Sequence, residues 1–229
     1  MASRKHQDEL VANPAKHFLQ WSNIQTKKVV DGEEYKKITG GEFRYYDKDL
    51  INEETGKGTN VSIPMPFEFA ILNSDCFSFK GNDKKKNNRY VWSNEANEYS
   101  KTIEVKCKED GSVANLMSFT KEDYKNKTKK EAIKEQLKGF GASYTQSVYI
   151  SPKTEDGFTE IWNIQLDGGA LSGGNGQNFS EVDPEDKYDG WFGFLKQAKL
   201  QGKNLLQHVV KVENYKPKER RCQIYDSYL

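Results

Sequence analysis

Short alternating segments separated by turn residues recur along most of the chain. Residues 41–48 show the pattern most plainly: Phe43 and Tyr45 fall on one side of an extended strand, Arg44 and Tyr46 on the other. Residues 67–72 place Phe67, Phe69 and Ile71 on one face, with Pro64 and Pro66 bounding the segment as prolines do at strand starts. Residues 76–81 alternate again around Phe77 and Phe79, and residues 89–92 resume extended structure after the lysine-rich tip at 82–88. Residues 102–108 and 112–118 predict a hairpin, because the Asp110-Gly111 pair between them suits a type I′ turn. A second hairpin is expected from 143–151 and 158–166 around Glu155-Asp156-Gly157, a first strand at 16–23, and a last pair at 205–212 and 221–228. Two polar stretches read as connections: residues 27–37, with an Asp31-Gly32 turn signal, and the loop around Gly56 and Gly58.

Two segments change period. Thr120 can cap a helix whose first turn carries Glu122 and Asp123, where the helix dipole favours negative charge. Ala132, Ile133 and Leu137 give that helix a thin apolar stripe, and Gly139 and Gly141 end it. Residues 191–200 predict a second, short amphipathic helix, and 168–176 a glycine-rich loop. The expected fold is mainly β with two helices, an OB-like barrel or small β-sandwich with insertions. Residues 1–15 read as a flexible arm, and 16–229 as one OB-like domain with a Gly-rich and acidic insertion at 172–189. Phe43, Tyr45, Phe67, Phe69, Phe77 and Phe79 are assigned to the core, and Trp162 to a face shared with Ile164 and Leu166.

Composition adds constraints on chemistry. The 229 residues are 35% hydrophobic with a mean hydropathy of −0.90, which fits a compact β-domain with long polar loops. Net charge is only +1, so attraction for phosphate would have to come from local runs such as Lys84-Lys85-Lys86, not from a global field. Cys76, Cys107 and Cys222 are odd in number and lack CxxC spacing, against a disulfide framework or zinc site and in favour of a reducing compartment. The N-terminus is charged and no apolar run approaches membrane-spanning length, so a cytoplasmic protein without membrane association is expected.

Catalytic signatures do not emerge. His6, His17 and His208 have no partner at metal-ligand spacing, and there is no nucleophile elbow. The run from Gly168 to Gly174 lacks the Lys-Ser/Thr ending of a phosphate loop and precedes an acidic stretch that would repel phosphate. No cofactor, metal or enzymatic activity is expected. What stands out is aromatic and basic interleaving: Lys84, Lys85 and Lys86 lead into Arg89, Tyr90 and Trp92, and Arg44 sits beside Tyr46. Cations that follow phosphates and rings that stack on bases suit a single-stranded nucleic acid. The competing reading has the rings in the core and the lysines merely solvated.

Three blocks resemble a group of bacteriophage proteins similar to OB-fold single-stranded-DNA-binding proteins, of the type found in Bacteroidales and crAss-like phages. The first is Gly41-Glu42-Phe43-Arg44 followed by Pro66-Phe67-Glu68-Phe69-Ala70-Ile71-Leu72. The second, Val91-Trp92-Ser93-Asn94-Glu95-Ala96, resembles that group's I-W-S-N-E-V. The third joins Ser147-Val148-Tyr149-Ile150, Ile161-Trp162-Asn163-Ile164 and Gly169-Ala170-Leu171, with Gly190-Trp191-Phe192-Gly193-Phe194 displaced beyond the insertion. The resemblance implies sequence-independent binding of single-stranded DNA in phage replication or recombination, in the host bacterial cytoplasm. Replication or recombination proteins are the further partners it implies. The site expected from these residues is Arg44, Tyr46, Lys80, Lys84, Lys85, Lys86, Arg89, Tyr90 and Trp92. Many such phage proteins end in an acidic tail, whereas this sequence ends Arg220-Arg221-Cys222-Gln223-Ile224-Tyr225-Asp226-Ser227-Tyr228-Leu229. A structural or cargo protein of the phage particle is the main alternative, and a DNA-repair or recombination enzyme a more distant one.

Overall fold

A computed structural model describes residues 13–30, 33–83, 89–109, 111–172, 190–213 and 223–225. Their strands are β1 (Phe18–Val30), β2 (Glu33–Asn52), β3 (Lys57–Ser62), β4 (Phe67–Asp83), β5 (Arg89–Ser93), β6 (Thr102–Glu109), β7 (Ser112–Thr120), β8 (Ala142–Pro152), β9 (Trp162–Asp167), β10 (Val209–Val212) and β11 (Gln223–Tyr225). The helices are α1 (Lys121–Lys125), α2 (Lys127–Gly139), α3 (Gly168–Ser172) and α4 (Gly190–Leu200), with a 3₁₀ turn at Leu205–Gln207. The protein is mainly β, as expected.

All the described strands belong to one sheet in the order β3-β2-β1-β9-β8-β4-β5-β6-β7, with β10 pairing β4 and β11 pairing β10. The sheet is open: β3 and β7 lie at opposite ends of this order and do not pair, so the expected barrel is corrected. Helices take the place of closure or of a second sheet, by covering one apolar face. Under α1 and α2, Phe77, Phe79, Val91, Ile103, Val105, Cys107 and Phe119 pack with Tyr124, Ile133 and Leu137. Towards the other end, Leu19, Phe43, Phe67, Phe69, Val148, Ile150 and Ile164 pack with Leu171 of α3 and Phe194 of α4. Tyr144 packs against both clusters and joins them. The aromatics assigned to the core from their alternation are therefore inward, with Tyr45 and Trp162 partly buried against the cluster that includes Leu171 and Phe194.

Several boundaries differ from expectation for identifiable reasons. The two strands expected at 67–72 and 76–81 are one strand, β4, whose register against β8 slips between Ile71 and Cys76. That irregularity lets β4 change neighbours: Phe67–Ala70 pair with β10, and Lys80–Asp83 with β5. Gly81 lies where β4 passes the turn into β8, and a Cβ there would meet the Gly141 carbonyl oxygen at 2.0 Å. Of residues 27–37, read as a polar connection, 27–30 lie in β1 and 33–37 in β2, while 31 and 32 lie outside the described residues; Gly58 lies in β3 rather than in a loop. Residues 168–172 form α3 instead of open loop, the strand expected at 205–212 begins only at Val209, and residues 13–15 of the expected arm are held through Asn13, which donates to the Tyr149 hydroxyl at 2.9 Å.

The first helix is two. Thr120 caps α1 in a reciprocal capping box with Asp123, and Asn126 ends α1 while its side chain caps α2 through the Lys129 amide. Hydrogen bonds from the Lys129 ammonium, the Thr120 hydroxyl and the Thr120 amide hold the Asp123 carboxyl well below the usual carboxylate range. A carboxyl lowered in the folded state stabilises above its ordinary pKa, and that contribution is lost as pH falls through the folded value. Asp123→Asn is therefore expected to lower the melting temperature at neutral pH. The gap to the wild type should narrow steadily below about pH 4, as thermal melts across an acid series would show.

Candidate nucleic-acid interface

Strand pairing decides which side chains share the face opposite the helices, because residues directly opposite one another project to the same side. Trp92 of β5 lies opposite Lys80 of β4 and Lys106 of β6, and Tyr90 lies opposite Asn82 and Lys108. Tyr90 and Trp92, two residues apart on one strand, stack at 5.5 Å with an 18° tilt between ring planes. Tyr90 is 48% exposed and Trp92 half-buried, while Val91 between them is fully buried. The result is a two-ring platform on the polar face, with lysines on both flanks and the core behind it.

The lysines already have surface partners. Lys80 donates to Gln165 Oε1 at 2.9 Å, and Lys106 pairs with Glu104 at 2.9 Å. The half-exposed Lys106–Glu104 ion pair contributes little, about 0–1 kcal/mol, so Lys106 could exchange it for a phosphate at small cost. Because Lys80 faces Ser143 of β8 while Gln165 faces Ser147, the Lys80 side chain crosses β8 above Thr145. Thr145 and Ser147 are accordingly buried although both are polar. Among the described residues the Thr145 hydroxyl has no hydrogen-bond partner.

Arg44 and Tyr46 also lie on the polar face. Pairing runs from Trp92 through Lys80, the serines of β8, Gln165 of β9 and Gln20 of β1 to Arg44 of β2, without a change of side. They do not join the Tyr90–Trp92 platform, since β4, β8, β9 and β1 separate β2 from β5. Arg44 donates through Nε to Glu42 at 2.6 Å on its own strand. Tyr46 is 58% exposed.

Arg89 requires a correction. It shares the parity of Val91, is only 7% exposed, and its guanidinium pairs with Glu109 at 3.4 Å. A side chain turned to the core side of the sheet does not present its charge to a strand lying on the polar face. Lys84, Lys85 and Lys86 lie outside the described residues. Three residues of the face were not anticipated: Lys106, Lys108 and Phe18. The alternation of Ile103, Val105 and Cys107 already turned both lysines outward, but only the β5–β6 register sets them beside the rings.

No group of three His, Cys, Asp or Glu side chains among the described residues is placed to hold a metal ion. No helix among them is long and apolar enough to cross a membrane. Away from the polar face, an open groove of about 630 Å³ lies between the irregular stretch of β4 and α4, lined by Leu72, Asp75, Leu195, Lys199, Leu205 and Leu206 among others. No protein-family model, curated protein or solved structure matches the chain.

Proposed function

We propose that the polar face of the sheet binds single-stranded DNA without sequence preference, as a phage protein would in replication or recombination in the host cytoplasm, and that it acts by binding, not catalysis. The observation that carries this reading is the stacked Tyr90–Trp92 pair flanked by Lys80, Lys106 and Lys108 on one sheet face. Rings offer every base a π-face and lysines neutralise phosphates, so affinity needs no base-edge contacts. The OB-like element of the proposal reduces to what an open sheet supplies: one face with rings and cations, for which closure is not required.

The competing assignment, a structural or cargo protein of the phage particle, draws on the groove beside α4, where Leu72 and Leu206 are exposed. A mobility shift with a fluorescent oligonucleotide separates the two. Single-stranded DNA should bind better than duplex at about 50 mM salt, and affinity should fall with salt at a log–log slope of roughly −2 to −3.5 for three to five phosphate contacts. No binding at low salt, or a preference for duplex, removes the DNA reading and leaves the particle protein.

A further inference from the structure

The polar face carries a second exposed aromatic patch, in which Arg44 and Tyr46 were expected from the sequence and Phe18 was not. One step beyond the Leu19–Tyr45 pair, Phe18 of β1 lies opposite Tyr46 of β2, and the two are 42% and 58% exposed. The Tyr46 ring is seated on a glycine of the neighbouring strand: a Cβ at Gly58 would lie 2.8 Å from its Cζ. A ring laid against backbone on one side keeps its other side open. By alternation along β2, Arg44 and the exposed Lys48 flank Tyr46 on the same face. Rings, an open π-face and nearby cations thus repeat what surrounds Tyr90 and Trp92.

We infer that Phe18 and Tyr46, with Arg44 and Lys48, form a second base-stacking station, and that one DNA strand runs obliquely over the sheet from Trp92 to Tyr46. This rests on the single-stranded-DNA reading and extends it to a minimum ligand length. The stations are five strand spacings apart, or about 24 Å across the sheet. Trp92 registers with Ser143 of β8 and Phe18 with Tyr149, so they are also six residues, about 20 Å, apart along it. The diagonal of about 30 Å takes roughly five nucleotides of stretched strand and about nine at the 3.4 Å rise of a stacked one, inside the usual range of about 4–16. Between the stations lie Lys80, Gln165 and Gln20, which offer hydrogen bonds to phosphates. The exposed Asp167 of β9, opposite Thr145, borders the route and keeps phosphates to the Lys80–Gln165 side.

The test is fluorescence anisotropy of the full chain with labelled dT4 and dT12 at low salt. The wild type should bind dT12 far more tightly than dT4, beyond the gain expected from the extra registers of a longer lattice. The double variant Phe18→Ala/Tyr46→Ala should lose about tenfold or more on dT12 and change less than about twofold on dT4, while Trp92→Ala weakens both. Tyr46→Phe, which keeps the ring, should keep dT12 affinity, and melting temperatures would show that each variant is folded. Wild-type dT12 affinity in the double variant, or equal binding of dT4 and dT12 by the wild type, overturns the second station and leaves the first standing. If neither oligonucleotide binds, the single-strand reading falls and the inference with it.

Discussion

If the polar face binds single-stranded DNA as proposed, Trp92→Ala should weaken that binding by roughly 5- to 150-fold, the equivalent of about 1–3 kcal/mol for one stacked base, with the salt slope nearly unchanged. Trp92 is half-buried and holds Tyr90 parallel to itself at 5.5 Å, so its loss also frees the second ring of the platform. Replacing Lys106 and Lys108 together has the opposite signature. Removing about two phosphate contacts should flatten the log–log slope by roughly 1.4, and the loss should be alike for every sequence, because a phosphate contact carries no base information. A Trp92→Ala protein that binds normally while folded moves this ring out of the interface. An unaltered slope in the double lysine variant removes both lysines from it.

Phe79→Ala costs about 3–5 kcal/mol of stability, the range for truncating a buried aromatic. Phe79 is 1% exposed and touches Phe77, Phe119, Tyr124 and Tyr144, rings from β4, β7, α1 and β8. Its side chain points away from the polar face, one residue before Lys80. The variant should melt far earlier, yet below its transition it should bind DNA with wild-type affinity and salt dependence. Chemical denaturation beside anisotropy checks both halves. Lost affinity in the folded variant would mean that the two faces of β4 are not independent.

The contrast between Arg89 and Lys80 shows how far the pattern of residues can be read. Both are basic and both sit next to aromatic residues, yet Arg89 is turned to the core side and pairs with Glu109 while Lys80 lies beside Trp92. Alternation would have separated them, because Arg89 is two residues from Val91 and one from Tyr90; proximity in sequence obscured it. Phe18 was ambiguous for another reason. It adjoins Leu19 in a segment where three apolar residues are not strictly alternate, and only the pairing of Leu19 with Tyr45 and Ile164 fixes Phe18 on the outer side. Tyr46 was legible as outward-facing, but its glycine seat on β3 was not.

From sequence alone came the parity of β2, β4 and β9, the hairpin through Gly111, the Thr120 cap and the inward set of aromatics. These follow from a side-chain period of two and from hydrogen bonds that close within a few residues, so local order contains them. Strand order was decided only in three dimensions. The parallel pairing of β1 with β9, the passage of β4 between three partner strands, and the failure of β3 and β7 to meet join residues separated by long stretches of chain. Every strand edge offers the same backbone donors and acceptors, so alternation does not specify its neighbour. That choice is made by which apolar faces can be buried together under α1, α2, α3 and α4, and it sets the separation between Tyr46 and Trp92 on one polar face.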